Sequence, residues 1–337
     1  MIVAALALTA CEGPEGPAGP TGPAGPAGAA GPAGPAGAAG QNASETCTDC
    51  HTGDASMFAK QQQLLNAAHG PGMYIRDSGE CAVCHTHQGF IEHLSTGEWG
   101  YSAGSVDDVA AINCRTCHQI HTTYTASDYA LTGQAPVPFR VAGVTVDFGN
   151  KANLCARCHQ TRIRNPMPVP SDDDYAVTSS HFGGHYGPQG DMAAGVGFFF
   201  AGDVSGPMSH FTDARGDGCP TCHMAEGSLT SGGHTFEMGS NIAGCEVCHS
   251  NVDDFDKFGG QTDIQELLDV LGPMLETIGI AHYDAATDHW GVVTGTYTAN
   301  EAAAWWNFIG VVNDGSLGVH NPGYIKAILE GAIDAIS

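Results

Sequence analysis

Basic residues are scarce in this chain. Lys and Arg number 11 among 337 residues, against 36 Asp and Glu, so the formal net charge is −25. Nucleic acids and anionic membrane surfaces are themselves negative and would repel such a chain. The composition therefore argues against a nucleic-acid partner, and it favours solubility as the main role of the acidity.

Long apolar segments are missing as well, since no stretch reaches the ~18 apolar residues that a membrane-spanning helix requires. Residues 2–8 form a short apolar run that no Lys or Arg precedes, and it leads into Leu8-Thr9-Ala10-Cys11. That tetrapeptide is typical of a bacterial lipobox, in which the cysteine is lipidated and becomes the mature N-terminus. We predict lipidation of Cys11 as an outer-membrane anchor, with a start codon further upstream.

Glycine recurs at every third position from Gly13 to Gly40, with Pro in most X positions and in no Y position. A strict Gly-X-Y period of this kind is typical of collagen, because only glycine fits the axis of a triple helix. A single-chain polyproline-II stalk is the alternative. At ~3.1 Å per residue the tract would span roughly 87 Å, so we expect a spacer in either case.

Cysteines are nearly absent outside one repeated pattern. Of 13 cysteines, 12 fall into six copies of Cys-x-x-Cys-His and the last is Cys11, so none is left for a disulfide framework. The six copies are Cys47-Cys50-His51, Cys81-Cys84-His85, Cys114-Cys117-His118, Cys155-Cys158-His159, Cys219-Cys222-His223 and Cys245-Cys248-His249.

This spacing suits covalent haem attachment. Two thiols must reach the two vinyl groups of one porphyrin, and the next residue must present an imidazole to the iron. Structural zinc sites group their cysteine pairs in fours or with distant histidine pairs, and a thioredoxin-like pair stands alone in a βαβ context. Neither pattern occurs here. We predict six c-type haems, attached after export through the motif cysteines, with the motif histidines as proximal iron ligands.

A second axial ligand for each iron must come from elsewhere in the chain. Eleven histidines lie outside the motifs: His69, His87, His93, His121, His181, His185, His210, His234, His282, His289 and His320. The predicted distal ligands are His69, His87, His121, His185, His210 and His234, with His93, His181 and His320 as alternates. Methionine is the other ligand type to consider, and Met73, Met167, Met208 and Met224 lie near motifs.

His121 is the strongest single prediction among these, because it follows proximal His118 by three residues. On a helix, three residues place two imidazoles about 60° apart around the axis, so the irons they serve would be neighbours. His87 follows the second motif by two residues and could serve similarly. His181 and His185 are spaced i, i+4, and the Gly-Pro-Gln at 187–189 favours His185.

The motifs leave little polypeptide for a conventional core, since residues 47–249 provide about 34 residues per motif. The macrocycles themselves must then supply much of the interior. We predict a mainly irregular/α fold, a haem-packed multihaem cytochrome with sparse short helices and a small C-terminal helical segment. The predicted divisions are residues 1–11 (lipoprotein signal), 12–43 (Gly-X-Y spacer), 44–260 (hexahaem domain) and 261–337 (C-terminal helical segment).

The C-terminal segment carries no motif and no cysteine. Apolar residues recur at helical spacing over 263–271, up to a predicted break at Gly272-Pro273. A second helix is expected over 300–312, and Asn321-Pro322 reads as the N-cap and first position of a third. These helices are expected to pack on the haem domain, with a partner surface as the alternative.

The sequence resembles the outer-surface multihaem cytochromes of metal-reducing and syntrophic bacteria, some of which polymerise into haem-lined filaments. The resemblance rests on the six motifs, on the Cys-His-x-x-His element at 117–121, and on the segments at 180–189, 232–236 and 319–322. It implies bis-histidine ligation of all haems, and a distal histidine contributed by a neighbouring subunit, for which His69 or His93 would be available. The Gly-X-Y tract departs from this family.

Three functions are compatible with these features. The first is extracellular electron transfer by a surface-tethered conduit or filament subunit, whose partners are other cytochromes or extracellular electron acceptors and which is not an enzyme. The second is a multihaem reductase of a small oxyanion, which requires one open haem site; the Lys-terminated attachment motif of some such enzymes is absent. The third is a collagen-like adhesin with secondary haems. We favour the first.

Overall fold

The computed structural model describes residues 55–70, 73–102, 105, 108–162, 167–184, 186–213 and 215–337. The predicted lipoprotein signal with Cys11, the Gly-X-Y spacer and the first motif with Cys47, Cys50 and His51 lie outside the described residues. His185 lies outside them as well.

Short helices joined by turns and loops make up the chain as far as residue 259. The helices are α1 (Ala55–Asn66), α2 (Cys81–His85), α3 (His87–Thr96), α4 (Cys114–Cys117), α5 (Ala152–Ala156), α6 (Gln189–Ala194), α7 (Ser209–Thr212), α8 (Cys219–His223) and α9 (Ala243–Glu246). Single 3-10 turns lie at Ala126–Tyr129, Gly233–Thr235 and Lys257–Gly259. Strands β1 (Val137–Phe139) and β2 (Val144–Val146) form a small antiparallel hairpin. Each of the five described motifs places its first cysteine on one of these short helices.

Longer helices appear only after residue 259. They are α10 (Gly260–Ile278), α11 (Ala299–Asp314) and α12 (Pro322–Ala335). A second antiparallel hairpin, β4 (Ala281–Asp284) and β5 (His289–Val292), follows α10, and β6 (Gly295–Thr298) pairs with β3 (Asp174–Val177) from the motif-bearing part. Within the described residues, no helix is both long and apolar enough to span a bilayer. This arrangement confirms the predicted mainly irregular/α class with a small C-terminal helical segment.

Side-chain caps fix the starts of several helices. Asn113 begins α4 with a capping box that it shares with Thr116, and Thr298 begins α11 with one shared with Glu301. Asn321 caps α12 while Pro322 occupies the first helical position, as the dipeptide predicts.

The predicted break at Gly272-Pro273 is wrong, because α10 continues through both residues to Ile278. Proline removes one hydrogen bond to the carbonyl four residues earlier, which belongs to Asp269. Both Pro273 and Asp269 lie on the exposed face, where water can solvate that carbonyl. The buried face around Leu271 and Leu275 holds the helix against its neighbours.

The apolar core is concentrated in the C-terminal helices. Its largest buried side chains include Trp305, Trp306 and Tyr324, each at most 2% exposed. The indole N–H of Trp305 donates to the Phe182 carbonyl at 2.8 Å, which joins α11 to the motif-bearing part. That part has a separate core of only eight buried apolar residues. So small a core cannot by itself account for the order of about 200 residues.

Truncation in the C-terminal core provides a test of this packing. Leu271 is fully buried in α10, while the adjacent Val270 is 50% exposed. We expect Leu271→Ala to lower the free energy of unfolding by ~2–5 kcal/mol, because it leaves a cavity. The matched control Val270→Ala should change it by less than ~0.5 kcal/mol. Urea unfolding followed by far-UV circular dichroism measures both, and equal losses would contradict the core assignment.

Asp191 makes stability depend on pH. This carboxyl group on α6 is fully buried, and burial raises its pKa to about 7 although the Thr161 backbone N–H donates to it at 2.7 Å. Between pH ~4 and about 7 the folded protein keeps a proton that the unfolded chain has released, so stability falls as pH rises through this window. The full effect is about 2–4 kcal/mol.

Asp191→Asn should therefore flatten the pH profile of the urea midpoint between pH 4 and 7, while keeping the acceptor for Thr161. The exposed carboxyl of Asp203 provides the control, and Asp203→Asn should leave the slope as it is. An unchanged slope in Asp191→Asn would show that the buried carboxyl is not its source.

Candidate haem-binding site

A cavity of about 830 Å³ lies among the motif helices. Three complete motifs line it: Cys81, Cys84 and His85; Cys114, Cys117 and His118; and Cys155, Cys158 and His159. Pro220 and Thr221 of the fifth motif, together with His69 and His234, also contribute to the wall. Helices α2, α4 and α5 thus direct the thiols and imidazoles of separate motifs into one space.

Basic side chains are concentrated around this cavity. Four of the 11 Lys and Arg residues line it, namely Lys60, Arg140, Lys151 and Arg162. Each haem carries two propionate carboxylates, and carboxylates in a partly buried site need cationic partners. These cations suit propionates, which would share Arg140 with Glu80 (3.0 Å) and Lys151 with Asp217 (2.5 Å), two carboxylates that also line the cavity.

The ten described motif cysteines form no disulfide among themselves. Burial raises the pKa of the Cys117 thiol to about 12 and that of the Cys222 thiol to about 11. These two thiols stay neutral at physiological pH, whereas hydrogen bonding lowers the pKa values of the Cys84 and Cys155 thiols.

The proximal histidines are oriented by hydrogen bonds from Nδ1. Their acceptors are the carbonyl oxygens of Tyr74 for His85 (2.8 Å), Tyr129 for His118 (2.7 Å) and Phe236 for His223 (3.0 Å), and the side-chain amide oxygen of Gln189 for His159 (3.0 Å). An oxygen that can only accept places the ring proton on Nδ1 and leaves the lone pair on Nε2. Such contacts orient histidines that ligate metals.

Four motif histidines each face a histidine from outside the motifs. The pairs are His118 with His234 (ring centroids 6.3 Å apart, planes at 31°), His223 with His320 (6.2 Å, 30°), His159 with His69 (5.8 Å, 75°) and His249 with His210 (5.9 Å, 88°). All eight rings are half-buried. Every described motif except the second contributes one member of a pair.

These separations match the spacing of two imidazoles on one metal ion. Two metal–nitrogen bonds of ~2.0 Å, with about 1.1 Å from each nitrogen to its ring centre, place the centroids ~6.2 Å apart. The residues present therefore fit iron held between two histidines.

Three of the four outer members have lowered pKa values, whereas for His320 the lowering by burial is outweighed by the charge and hydrogen bond of Asp314, which raise its pKa. Burial lowers the pKa of His69 to about 4, and the neighbouring His159 and His223 add to the effect. Burial also lowers the pKa values of His210 and His234. These rings are neutral at physiological pH, so a nitrogen lone pair is available to a metal.

The structure thus places three of the predicted distal ligands, His69, His210 and His234, opposite motif histidines. The fourth outer member, His320, was only an alternate in the sequence prediction. His320 directly precedes the cap Asn321, and this position gives no indication that the folded chain carries it to a motif 97 residues earlier. No local signal in the sequence would have ranked it higher.

The predicted ligands His87 and His121 do not join any of the four pairs. His87 Nδ1 lies 3.0 Å from the Thr116 hydroxyl, and the His121 ring stacks on Tyr124 with centroids 5.6 Å apart. The helical geometry assumed for His118 and His121 is wrong, because α4 ends at Cys117. Residue 118 instead adopts an extended conformation and bridges to Leu131 in β fashion.

Other histidines lie apart from these pairs. His85 faces the Tyr74 ring at 6.4 Å, while the alternate His93 is buried beside Trp99 at 4.6 Å, and the alternate His181 is exposed. The distal ligands of the first two motifs therefore stay predictions.

Cysteines from different motifs touch, which places their sites side by side. The Cys84 thiol donates to the Cys158 backbone carbonyl oxygen at 4.0 Å, and the Cys155 and Cys219 thiols lie close enough to shift each other's pKa. The fourth motif consequently contacts the second with one cysteine and the fifth with the other.

A glycine brings the fifth and sixth motifs together. A Cβ on Gly244 would lie 2.6 Å from the Cys222 Cα and 2.6 Å from the Thr221 carbonyl oxygen, closer than any side chain can be accommodated. Only glycine at this position lets α9 approach α8 so closely. The second, fourth, fifth and sixth motifs therefore form a continuous row.

Comparison with known proteins supports this picture at the level of the fold. No protein-family model and no curated protein matches the sequence. The fold is similar to the crystal structure of the outer cell wall cytochrome OcwA, with a TM-score of 0.51 and 17% sequence identity. The fold is that of a multihaem cytochrome. The similarity covers 82% of this chain and 50% of that protein, so the chain spans about half its length.

The paired histidines of this cytochrome fold make a spectroscopic prediction. Nearly parallel and nearly perpendicular axial imidazoles give low-spin ferric haem two different electron paramagnetic resonance signals, so we expect both classes. His234→Ala removes the outer ring of one nearly parallel pair. The low-spin signal of that pair should disappear and a high-spin signal should appear, because one iron would lose its sixth ligand. The control His282→Ala changes an exposed ring on β4 and should alter neither. An unchanged spectrum in His234→Ala would contradict the pairing.

Proposed function

We propose that this chain binds six c-type haems and transfers electrons outside the cell. The observation that carries the proposal is the set of four histidine pairs, each with one motif histidine and a spacing of 5.8–6.3 Å. Haem iron supplies reversible one-electron chemistry, Fe(III) to Fe(II) and back. The motif cysteines would fix the porphyrins covalently, and the paired histidines would hold the iron from both sides.

Occupation of both axial positions favours a conduit over a reductase. A reductase of a small oxyanion needs an iron with one open position, and the four pairs leave none at their sites. The acidic chain would also repel an anionic substrate. For the first two motifs we propose the same ligation, with His87, His121 and His185 as the predicted distal candidates.

The row of touching motifs supports transfer between sites. Because the second, fourth, fifth and sixth motifs adjoin and three motifs share one cavity, the porphyrins attached to them would lie close together. Their partners would be other cytochromes or extracellular electron acceptors. Net charge of −25 favours partners or surfaces that carry positive charge.

Surface location is part of the same proposal. Lipidated Cys11 would anchor the chain in the outer membrane, and residues 12–43 would hold the hexahaem region, residues 44–260, away from it. The name of OcwA, an outer cell wall cytochrome, supports an exposed location. We also propose that the chain self-assembles, either into filaments or into trimers through a collagen-like triple helix. Electron microscopy tests this assembly.

The haem count tests the proposal directly. Intact-mass measurement on the exported, matured protein should show six haem increments, and Cys245→Ser combined with Cys248→Ser should show five, because one porphyrin loses both thioether bonds. The ferric wild type should show low-spin signals and should reoxidise rapidly with a ferric chelate after reduction. A polypeptide mass without increments would refute the proposal, and a strong high-spin signal with nitrite or hydroxylamine turnover would favour the reductase.

A further inference from the structure

The C-terminal segment reaches the haem sites through the loop between α11 and α12. This loop places the His320 ring opposite His223 of the fifth motif, with centroids 6.2 Å apart and planes at 30°. The His320 side chain is 17% exposed, so the ring is largely buried in the same interior as the motif histidine. A segment without any attachment motif therefore supplies one of the four outer histidines.

His320 differs from the oriented motif histidines in its hydrogen-bond partner. Its Nδ1 lies 2.6 Å from a carboxylate oxygen of Asp314, whose side chain is fully buried. The motif histidines whose Nδ1 contacts are described above donate instead to uncharged carbonyl or amide oxygens. His320 is thus the ring that faces a buried negative charge.

Asp314 is held in place from several directions. Its second carboxylate oxygen accepts hydrogen bonds from the backbone N–H and the hydroxyl of Ser316. Asp314 is also the last residue of the buried helix α11. Gln189 donates to the Asp314 backbone carbonyl at 3.3 Å while its amide oxygen accepts from His159. Ser316 therefore holds the carboxylate towards His320, and Gln189 links the end of α11 to His159 of the fourth motif.

A carboxylate acceptor changes what an axial imidazole donates to a metal. Hydrogen bonding from Nδ1 to a carboxylate increases the electron density on the ring and makes Nε2 a stronger donor than a neutral acceptor does. A stronger donor stabilises the ferric state relative to the ferrous state, which lowers the reduction potential. Burial strengthens the interaction because little water screens it.

We infer that His320 is the distal iron ligand at the fifth motif and that Asp314 is a positioning residue that lowers the reduction potential of that site. This inference rests on the proposed haem function and goes beyond it by assigning one ligand and one potential-setting group. The site lies between the fourth and sixth motifs in the row. Asp314 would thereby lower the reduction potential of the haem in the middle of the row relative to its neighbours.

Two variants test the ligand. His320→Ala should keep six haem increments by mass, because the thioether bonds do not depend on it, and should convert one of six low-spin haems to high spin. His320→Met should keep that iron six-coordinate, add a sulfur-to-iron charge-transfer band and raise one potential. His282→Ala, on the exposed hairpin, is the control. Six low-spin haems with unchanged spectra in both variants would overturn the assignment of His320.

Asp314→Asn tests the positioning role, because the amide keeps an acceptor oxygen while removing the charge. Redox titration followed by electron paramagnetic resonance should show one of six potentials moved in the positive direction, with all haems still low-spin. Asp269→Asn, an exposed carboxyl on α10, should move none. Unchanged potentials would overturn the role of Asp314. Conversion of one haem to high spin would show that the charge is needed for ligation itself, which also contradicts a purely potential-setting role. Absence of haem from the wild type would instead refute the proposed function.

Discussion

The arrangement depends on one geometric constraint, the separation at which a motif histidine and a histidine from outside the motifs face each other. Four pairs meet it at 5.8–6.3 Å, although their members come from distant parts of the chain. Short helices suffice to begin each described motif, and two of them, α2 and α8, hold both cysteines and the histidine that follows. Loops then deliver the opposite ring, and a glycine such as Gly244 lets neighbouring motifs approach. The small apolar core of the motif-bearing part follows from the same constraint.

Features encoded within a few residues could be predicted from the sequence. The spacing of each motif predicts a helical turn, and helices α2, α4, α5, α8 and α9 begin or contain the described motifs. Asn321-Pro322 predicts the start of α12, and Asn321 caps this helix as expected. Pro273 misled the prediction because a local helix breaker was weighed without the tertiary packing of Leu271 and Leu275, which holds α10 together on its buried side.

The partner of each motif histidine could not be predicted in the same way, because it depends on contacts between residues about 40 to 120 positions apart. His234 pairs with His118 and His320 with His223, while the nearest candidates in sequence, His121 and His87, join none of these pairs. Closeness in sequence did not predict these pairs. Helix α4 ends at Cys117, and His118 adopts an extended conformation. The position of His320 is set by the C-terminal core, whose folding carries the α11–α12 loop to the fifth motif.

The C-terminal helices are therefore part of the candidate haem-binding site rather than an appendage, since they contribute a ring, a buried carboxylate and the contact to Gln189. The measurement that tests this account most directly is anomalous X-ray diffraction at the iron absorption edge on crystals of the mature protein. The account predicts six iron positions, four of which lie midway between the paired rings, including one between His223 and His320. Absence of iron from between these paired rings would contradict it.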